Sequence, residues 1–308
     1  MPADLDLARL RVLAAVARTG SLTAAARDLG IAQPSVSHHL SRLEAEAGLP
    51  LLERVGRGVR LTEAGDLLAS RAEEILGRVE GVRRELDALA GLQAGRARLA
   101  AFPSALATIV PTAVGALHRD YPGIGVGLVE AEPPEAVAAL AAGDVDIALV
   151  FEHTDVAHTR SVGDLSRFQV TEVLDEPVHL VLPAGSTDAD GATPTLADLA
   201  DSDWIAGCVR CRADLVARCS AAGFAPHIAF ETDDSLAVQA LVAQRVGVSV
   251  LPDMALRAHH SRGVITARLP GARRKVLALT VGAPTPPARE LLQRLVAAGA
   301  QLMPPTPR

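Results

Sequence analysis

Three cysteines sit close together in a chain that has no others, as Gly207-Cys208-Val209-Arg210-Cys211 and then Cys219. A thiol at a helix start beside Arg210 and Arg212 has its thiolate favoured and becomes oxidisable, so Cys208, Cys211 and Cys219 are candidate redox residues. The Cys-x-x-Cys spacing is also half of a zinc site. Zinc wants four ligands, however, and there is no second such pair; His179 or His227 would have to join the cysteines. Small thiols filling core space are the plainer alternative. No metal and no cofactor is expected. Gly123-Ile-Gly-Val-Gly127 lies in an extended stretch and opens no helix, so it is not a dinucleotide loop. There is no Gly-x-Ser-x-Gly elbow, no His-Glu-x-x-His and no phosphate-binding P-loop. Asp144 and Asp146 flank a strand start, and Asp233-Asp234 precede a helix. Both pairs read as turn and cap chemistry rather than acid–base machinery, and an enzyme is not expected.

A second set of polar residues lies near the N-terminus: Ser21, Gln33-Pro34-Ser35, Ser37, His38, His39 and Arg42, then Arg54, Arg57 and Arg60. Amides and hydroxyls on a helix can read base edges, and arginines beside them can hold phosphates. Residues 1–65 carry eight arginines against seven acids, while the whole chain has a net charge of −6. A slightly basic end on an acidic body hints at nucleic acid.

These residues need a scaffold. Leu5, Leu10, Leu13, Val16 and Ala17 recur at helical spacing, Gly20 ends that helix, and Ser21 caps an alanine-rich second helix that stops at Gly30. A third helix opens at Gln33-Pro34-Ser35 and turns Val36, Leu40 and Leu43 inward. Two short helices joined by a tight glycine turn form a helix-turn-helix, whose second helix enters a major groove. Gly56 and Gly58 then make the turn of a β-wing, whose arginines reach phosphates or a minor groove. From Glu63 to Leu92 there is no proline. Leu68, Ile75, Val82 and Leu89 recur every seven residues, with Ala72, Val79 and Leu86 between them, as in the seam of a coiled coil. The alternative is a lone amphipathic helix packed on its own domain.

After residue 95 the pattern alternates. Strands are expected near 96–102, 124–130, 145–151, 168–174, 177–183, 203–206, 227–231, 247–251, 263–269 and 275–281. Helices are expected near 104–119, 134–142, 211–222, 234–244 and 287–302. This implies α/β subdomains with largely parallel sheets and clefts at the strand C-termini. The 308 residues, 49% hydrophobic and 21% charged, exclude a disordered chain and allow two or three compact units. No apolar run is long enough for a membrane span, and the start lacks a signal-peptide pattern. An odd, low cysteine count argues against a disulfide framework, and the absence of Asn excludes N-glycosylation. A soluble cytoplasmic protein is expected.

GSLTAAARDLGIAQPSVSHHLSRLEAEAGLPLLERVGRGVRLTEAG resembles the N-terminal signature of LysR-type transcriptional regulators. PTAVGALHRDYPGIGVGLVEAEPPEAVAALAAGDVDIALV is similar to that family's first effector subdomain, and ALVAQRVGVSVLP to an element of the second. Three such motifs in order carry the resemblance along nearly the whole chain. Leu52 stands where the family commonly has Phe, and Lys275 is the only lysine.

The resemblance implies an α/β fold class with three parts. They are a winged helix-turn-helix over 1–62, a linker and dimerisation helix over 63–92, and an effector-binding domain of periplasmic-binding-protein type over 93–308. That last domain would divide into subdomain I (about 93–162 and 268–308) and subdomain II (about 163–267), joined by two crossover strands. Ser21 would hold phosphate, Gln33, Pro34, Ser35, Ser37 and His38 would face bases, and Arg42, Arg54 and Arg57 would contact the backbone or minor groove. For Arg54 the alternative is a salt bridge to Glu53 or Glu63, and for His39 plain exposure. Phe102, Ser104, Phe151, Glu152, Ile205, Gly207 and Thr232 would line the effector cleft. Ser104 would cap the helix after strand 96–102, which suits a carboxylate or other anion. Partners would be double-stranded promoter DNA, a small-molecule effector, a second copy in a dimer or dimer of dimers, and RNA polymerase, with no membrane. Some members sense peroxide with two cysteines eight or nine residues apart, a separation that Cys211 and Cys219 match. A rival of another class is a periplasmic-type binding protein without DNA function, which salt-dependent DNA binding would distinguish.

Overall fold

The computed structural model describes residues 5–55, 58–89, 95–154, 165–186 and 193–302. It divides into two compact units, Met1–Gly91 with Ala141–Asp144, and Leu92–Leu140 with Val145–Arg308.

In the first unit, α1 (Leu7–Thr19) starts at Asp6, whose carboxylate accepts from the Ala8 and Arg9 N–H groups, and stops at left-handed Gly20. In α2 (Leu22–Leu29) the Ser21 hydroxyl accepts from the Ala24 N–H at 3.0 Å. The third helix, α3 (Gln33–Ala47), has Pro34 in its first turn, where its missing N–H costs nothing. Leu10, Leu13, Val16, Ala25, Ala26, Val36, Leu40 and Leu43 form one core. That core closes because the two Ala-rich faces let the helices approach.

The wing follows. β1 (Leu52–Val55) pairs antiparallel with β2 (Gly58–Leu61), placing Glu53 opposite Arg60. Glu44 anchors the approach to the wing, its Oε1 accepting from the Leu51 and Leu52 N–H groups at 2.9 and 3.2 Å. Leu51, rather than Leu52, is the fully buried residue here. The long helix α4 (Glu63–Leu89) lays Leu68, Ala69 and Ala72 on the same core. Gly65 permits that contact, because a Cβ there would collide with the Leu51 carbonyl oxygen. Farther along α4, Ile75, Val79 and Val82 are exposed. Gly77, by contrast, lies against Ala141 and Gly143 of the same unit. The side chains of Leu86 and Leu89 lie outside the described residues.

The second unit is built on an eight-stranded mixed sheet. β3 (Arg96–Ala101) runs parallel to β4 (Gly125–Glu130) and to β5 (Ile147–Thr154). At the other end β7 (Asp203–Ala206) runs parallel to β8 (His227–Glu231) and β9 (Val248–Pro252). Two long strands, β6 (Gln169–Pro183) and β10 (Val264–Thr280), pair antiparallel between these halves. The expectation of largely parallel sheets thus holds only for the two ends.

The four short strands expected near 168–174, 177–183, 263–269 and 275–281 are two continuous ones. Pro177 cannot donate to the ladder, yet it lies within β6. Its partner is Arg273, next to a bulge between Arg268 and Arg273 that contains Pro270-Gly271, so the ladder bends there without ending. The helix expected over 104–119 is broken into α5 (Pro103–Leu106) and α6 (Ile109–Asp120), because Thr108 leaves helical geometry. α7 (Pro133–Ala141), α8 (Val209–Ala221), α9 (Ser235–Ala243) and α11 (Pro286–Leu302) lie close to their expected places. α10 (Asp253–Ala258) was not expected, because six residues are too few for a periodicity to register.

Candidate functional site

On the first unit, Gln33, Pro34, Ser35, His38 and Arg42 are exposed along α3, while Val36, Leu40 and Leu43 hold its inner face. Gln33 Nε2 donates to Ser37 Oγ at 3.1 Å, so the two side chains form a single amide–hydroxyl surface on the first turns. His39 is half-buried and edge-on to His38 at 6.3 Å between centroids. Glu53 is bound by Arg60, with Nε 2.8 Å from the carboxylate. Arg57 and the side chain of Arg54 lie outside the described residues.

On the second unit, the ends of β3, β5, β7 and β8 open on a cleft of about 530 Å³, its mouth included. Phe102, Ser104, Phe151, Gly207 and Thr232 line it, as expected from sequence. Glu152 and Ile205 do not. Ile205 is fully buried and packs against Val181, Val238, Val242 and Leu251. Glu152 follows Phe151 on β5 and points to the opposite face, because strand side chains alternate. Thr232 lines the cleft without belonging to a crossover strand, although the sequence reading puts it in one. It follows β8, its N–H donating to the Ala206 carbonyl, whereas the crossover strands are β6 and β10.

Ser104 lines the cleft but does not cap. Phe102 is the N-cap of α5 and makes no side-chain cap bond, since Pro103 takes the first helical position. The Ser104 hydroxyl instead accepts from Arg274 at 3.0 Å. A single four-residue turn has little dipole to offer an anion, so that expectation loses its footing.

Arg274 is the residue that sequence reasoning missed. It is 3% exposed, and its Nε donates to Glu176 Oε1 at 2.7 Å. Its guanidinium carbon lies 5.0 Å from the Phe102 ring centre and 4.8 Å from that of Phe151. Glu176 Oε2 also accepts from the Met254 N–H at 2.6 Å. Burial pushes the Glu176 carboxyl up, and Arg274 with that N–H opposes the shift. The pair stands 98 residues apart in sequence, so no local spacing could reveal it.

Glu132, which also lines the cleft, was missed too. The available signal was its position just past a strand C-terminus, directly before a Pro-Pro helix start. Burial, reinforced by Cys208 and Asp233, pushes its carboxyl up to about 8.

Cys208 and Cys211 line the same cleft, with their sulfurs 3.3 Å apart. The hydrogen bond between them brings Cys208 down to about 6 against the effect of burial, and raises Cys211 well above the usual thiol range. Cys219 is buried among Trp204, Leu215 and Leu180, and burial pushes it up to about 11. His179 and His227 are not cysteine partners. They face Asp253 at 3.3 Å and Asp203 at 2.7 Å. Among the described residues no group of three or more His, Cys, Asp or Glu could hold a metal ion. Asp234 caps α9 through the Leu236 N–H, as expected, and Asp146 pairs with Arg98.

Behind the cleft, His153 at the end of β5 is 5% exposed and lies 3.5 Å from Asp214 of α8. Burial, with Arg274, Arg218 and Arg210 adding to it, lowers His153 to about 3. Arg218 ties α8 to the same strand, donating to Asp214 and to the Thr154 carbonyl, both at 2.8 Å.

Residues 7–66 match the family described as "Bacterial regulatory helix-turn-helix protein, lysR family", and residues 90–302 match "LysR substrate binding domain". The chain is 28% identical to "Probable HTH-type transcriptional regulator LrrA" of Synechococcus elongatus, over 82% of each chain. It is 32% identical to "Probable hydrogen peroxide-inducible genes activator" of Streptomyces viridosporus, over 90% of this chain and 89% of that one. Its fold is similar to that of full-length CbnR crystallised with its target DNA. There the TM-score is 0.58 and the identity 23%, over 97% of this chain and all of the other. No described helix is long and apolar enough to cross a membrane.

Proposed function

The chain belongs to the LysR family of bacterial DNA-binding transcriptional regulators, and on that premise we propose that α3 reads operator bases while the cleft beside Arg274 senses a small molecule. The family is one of regulators rather than enzymes. The observation that carries the effector reading is the cleft itself. Aromatic rings, hydroxyls and a neutral-leaning carboxyl converge there around a buried, already paired arginine.

That composition supports a small effector with hydrogen-bonding groups and some apolar surface. Because Glu176 matches the Arg274 charge, it gives less support to a strongly anionic one. On α3, Gln33, Ser35, Ser37 and His38 would meet base edges, with Arg42, Arg54 and Arg57 on phosphates or the minor groove and Ser21 at a phosphate. Ile75, Val79 and Val82 would pair subunits through α4 in a cytoplasmic dimer or dimer of dimers. Ligand closing the cleft would shift that assembly's population on promoter DNA, and with it access to RNA polymerase. The working division is 1–62, 63–92 and 93–308.

The test is a thermal-shift screen of small metabolites on the full chain, followed by DNA affinity with each hit. A ligand that raises the melting temperature, loses that effect in Thr232→Val, and changes DNA affinity supports the reading. Cleft-binding ligands that all leave DNA affinity unchanged overturn it.

A further inference from the structure

We infer that Cys208 and Cys211 form a reversible dithiol–disulfide couple in the wall of the cleft, driven by low-molecular-weight disulfides, so that thiol oxidation regulates DNA binding through that site. This rests on the cleft being the effector site.

The geometry is specific to this pair. Cys208 is the N-cap of the thirteen-residue α8 and Cys211 sits in its first turn. The Cys208 side chain makes no cap bond to the helix backbone, and its contact is the Cys211 sulfur. The sulfurs are 3.3 Å apart, and a bond requires them to close to about 2.05 Å, which side-chain rotation in a Cys-x-x-Cys turn can supply. Gly207 keeps the turn open, since a Cβ on it would lie 3.2 Å from the Cys211 Cβ.

The two thiols are also unequal in the way exchange requires. Cys208 leans toward thiolate at neutral pH, whereas Cys211 holds its proton. One is thus the attacking group and the other the resolving group. Cys219 cannot replace either. It lies eight residues beyond Cys211 on the same helix, about 12 Å along the axis, and is buried in the core behind the cleft.

The exchange balances. The Cys208 thiolate attacks one sulfur of RS–SR, that bond breaks, and RS⁻ leaves. Cys211 then loses its proton and attacks the Cys208 sulfur, expelling a second RS⁻. The two cysteines give up two electrons, and their two protons end on two RSH molecules. Excess thiol reverses each step. Because both sulfurs line the cleft, bonding them reshapes the wall that an effector would touch.

The experiment equilibrates the full chain in glutathione buffers of rising oxidised-to-reduced ratio and traps free thiols by alkylation. The crosslink is mapped by mass spectrometry, and DNA affinity is read on the same samples. The wild type and Cys219→Ala should lose two thiols to a 208–211 crosslink, and their DNA affinity should change by about fivefold or more. Cys208→Ser and Cys211→Ser should form no internal crosslink, and their DNA affinity should not vary with the oxidised-to-reduced ratio. A crosslink to Cys219, a persistent glutathione adduct on the wild type, three free thiols at every ratio, or a disulfide without effect on DNA affinity would overturn the proposal. Failure of the reduced protein to bind DNA at all would count instead against the function proposed above, with the thiol map still judging the couple.

Discussion

Arg274 and Glu176 stand directly opposite each other on the two strands that join the halves of the effector body. Their ion pair is buried, at 3% and 0% exposure. Each partner also reaches into a different half. Arg274 donates to Ser104 of α5 at 3.0 Å, and the N–H of Met254 on α10 donates to Glu176 at 2.6 Å. The pair therefore fastens both walls of the cleft to the strands between them. A ligand that moves one wall pulls on the ion pair to which the other wall is also bonded.

Removing one partner should be far worse than removing both. Arg274→Met leaves a buried carboxylate without its cation and should destabilise the chain by about 3–5 kcal/mol in urea unfolding. The double variant Arg274→Met/Glu176→Met should recover much of that loss. Equal losses in the single and double variants would show that the pair does not act as a unit.

His153 sets an acid-side slope. Its imidazole is held near 3 in the native chain against 6.5 unfolded, so the unfolded state binds more protons between those values. Stability from this group is full above pH 6.5 and is lost as pH falls. Between pH 7 and pH 5 this group's loss should be about 2 kcal/mol, read as the wild-type change in stability minus that of His153→Phe. Glu132 runs the other way. Raised from 4.5 to about 8, it makes the native state the greater proton binder, so its contribution falls as pH rises across that window. A His153→Phe variant with the wild-type acid slope would contradict the assignment.

Val79 and Val82 on α4 are 42% and 55% exposed in the single chain. Glutamate at either site should cost the fold little, yet halve the assembly mass in sedimentation. An unchanged mass would remove α4 from the subunit interface.

Gly65→Ala should destabilise the winged unit by about 1–3 kcal/mol, because its methyl group would press on the Leu51 carbonyl. A melting temperature within a degree of wild type would show that the wing shifts freely.

Much of this was legible in the sequence, for local reasons. Gly20, Ser21 and Gly30 act at the positions where they stand, so the helix-turn-helix could be read from caps alone. Phe102, Gly207 and Thr232 sit just beyond strand ends, which is where an α/β cleft must lie, while Phe151 lies within β5. The misses all turn on contacts made far away in sequence. Ile205 precedes Gly207 by two residues but faces the core, and strand phase is invisible without knowing what covers each side. Nothing local sets Arg274 apart in Arg273-Arg274-Lys275, and only the β6–β10 register shows that Glu176 meets it. Ser104 looked like a cap because a hydroxyl after proline often is one, and Arg274 took it instead.

The central claim is that α3 reads sequence, and its most direct measurement is one affinity ratio. At fixed salt, wild type and Gln33→Ala are titrated with the intergenic duplex upstream of the gene and with a shuffled duplex. Wild type should prefer the upstream duplex by about 10³ or more. Gln33→Ala should narrow that ratio by about 10-fold or more, as expected of a lost base contact. Equal wild-type affinity for both duplexes, or equal losses by Gln33→Ala on both, would contradict the account.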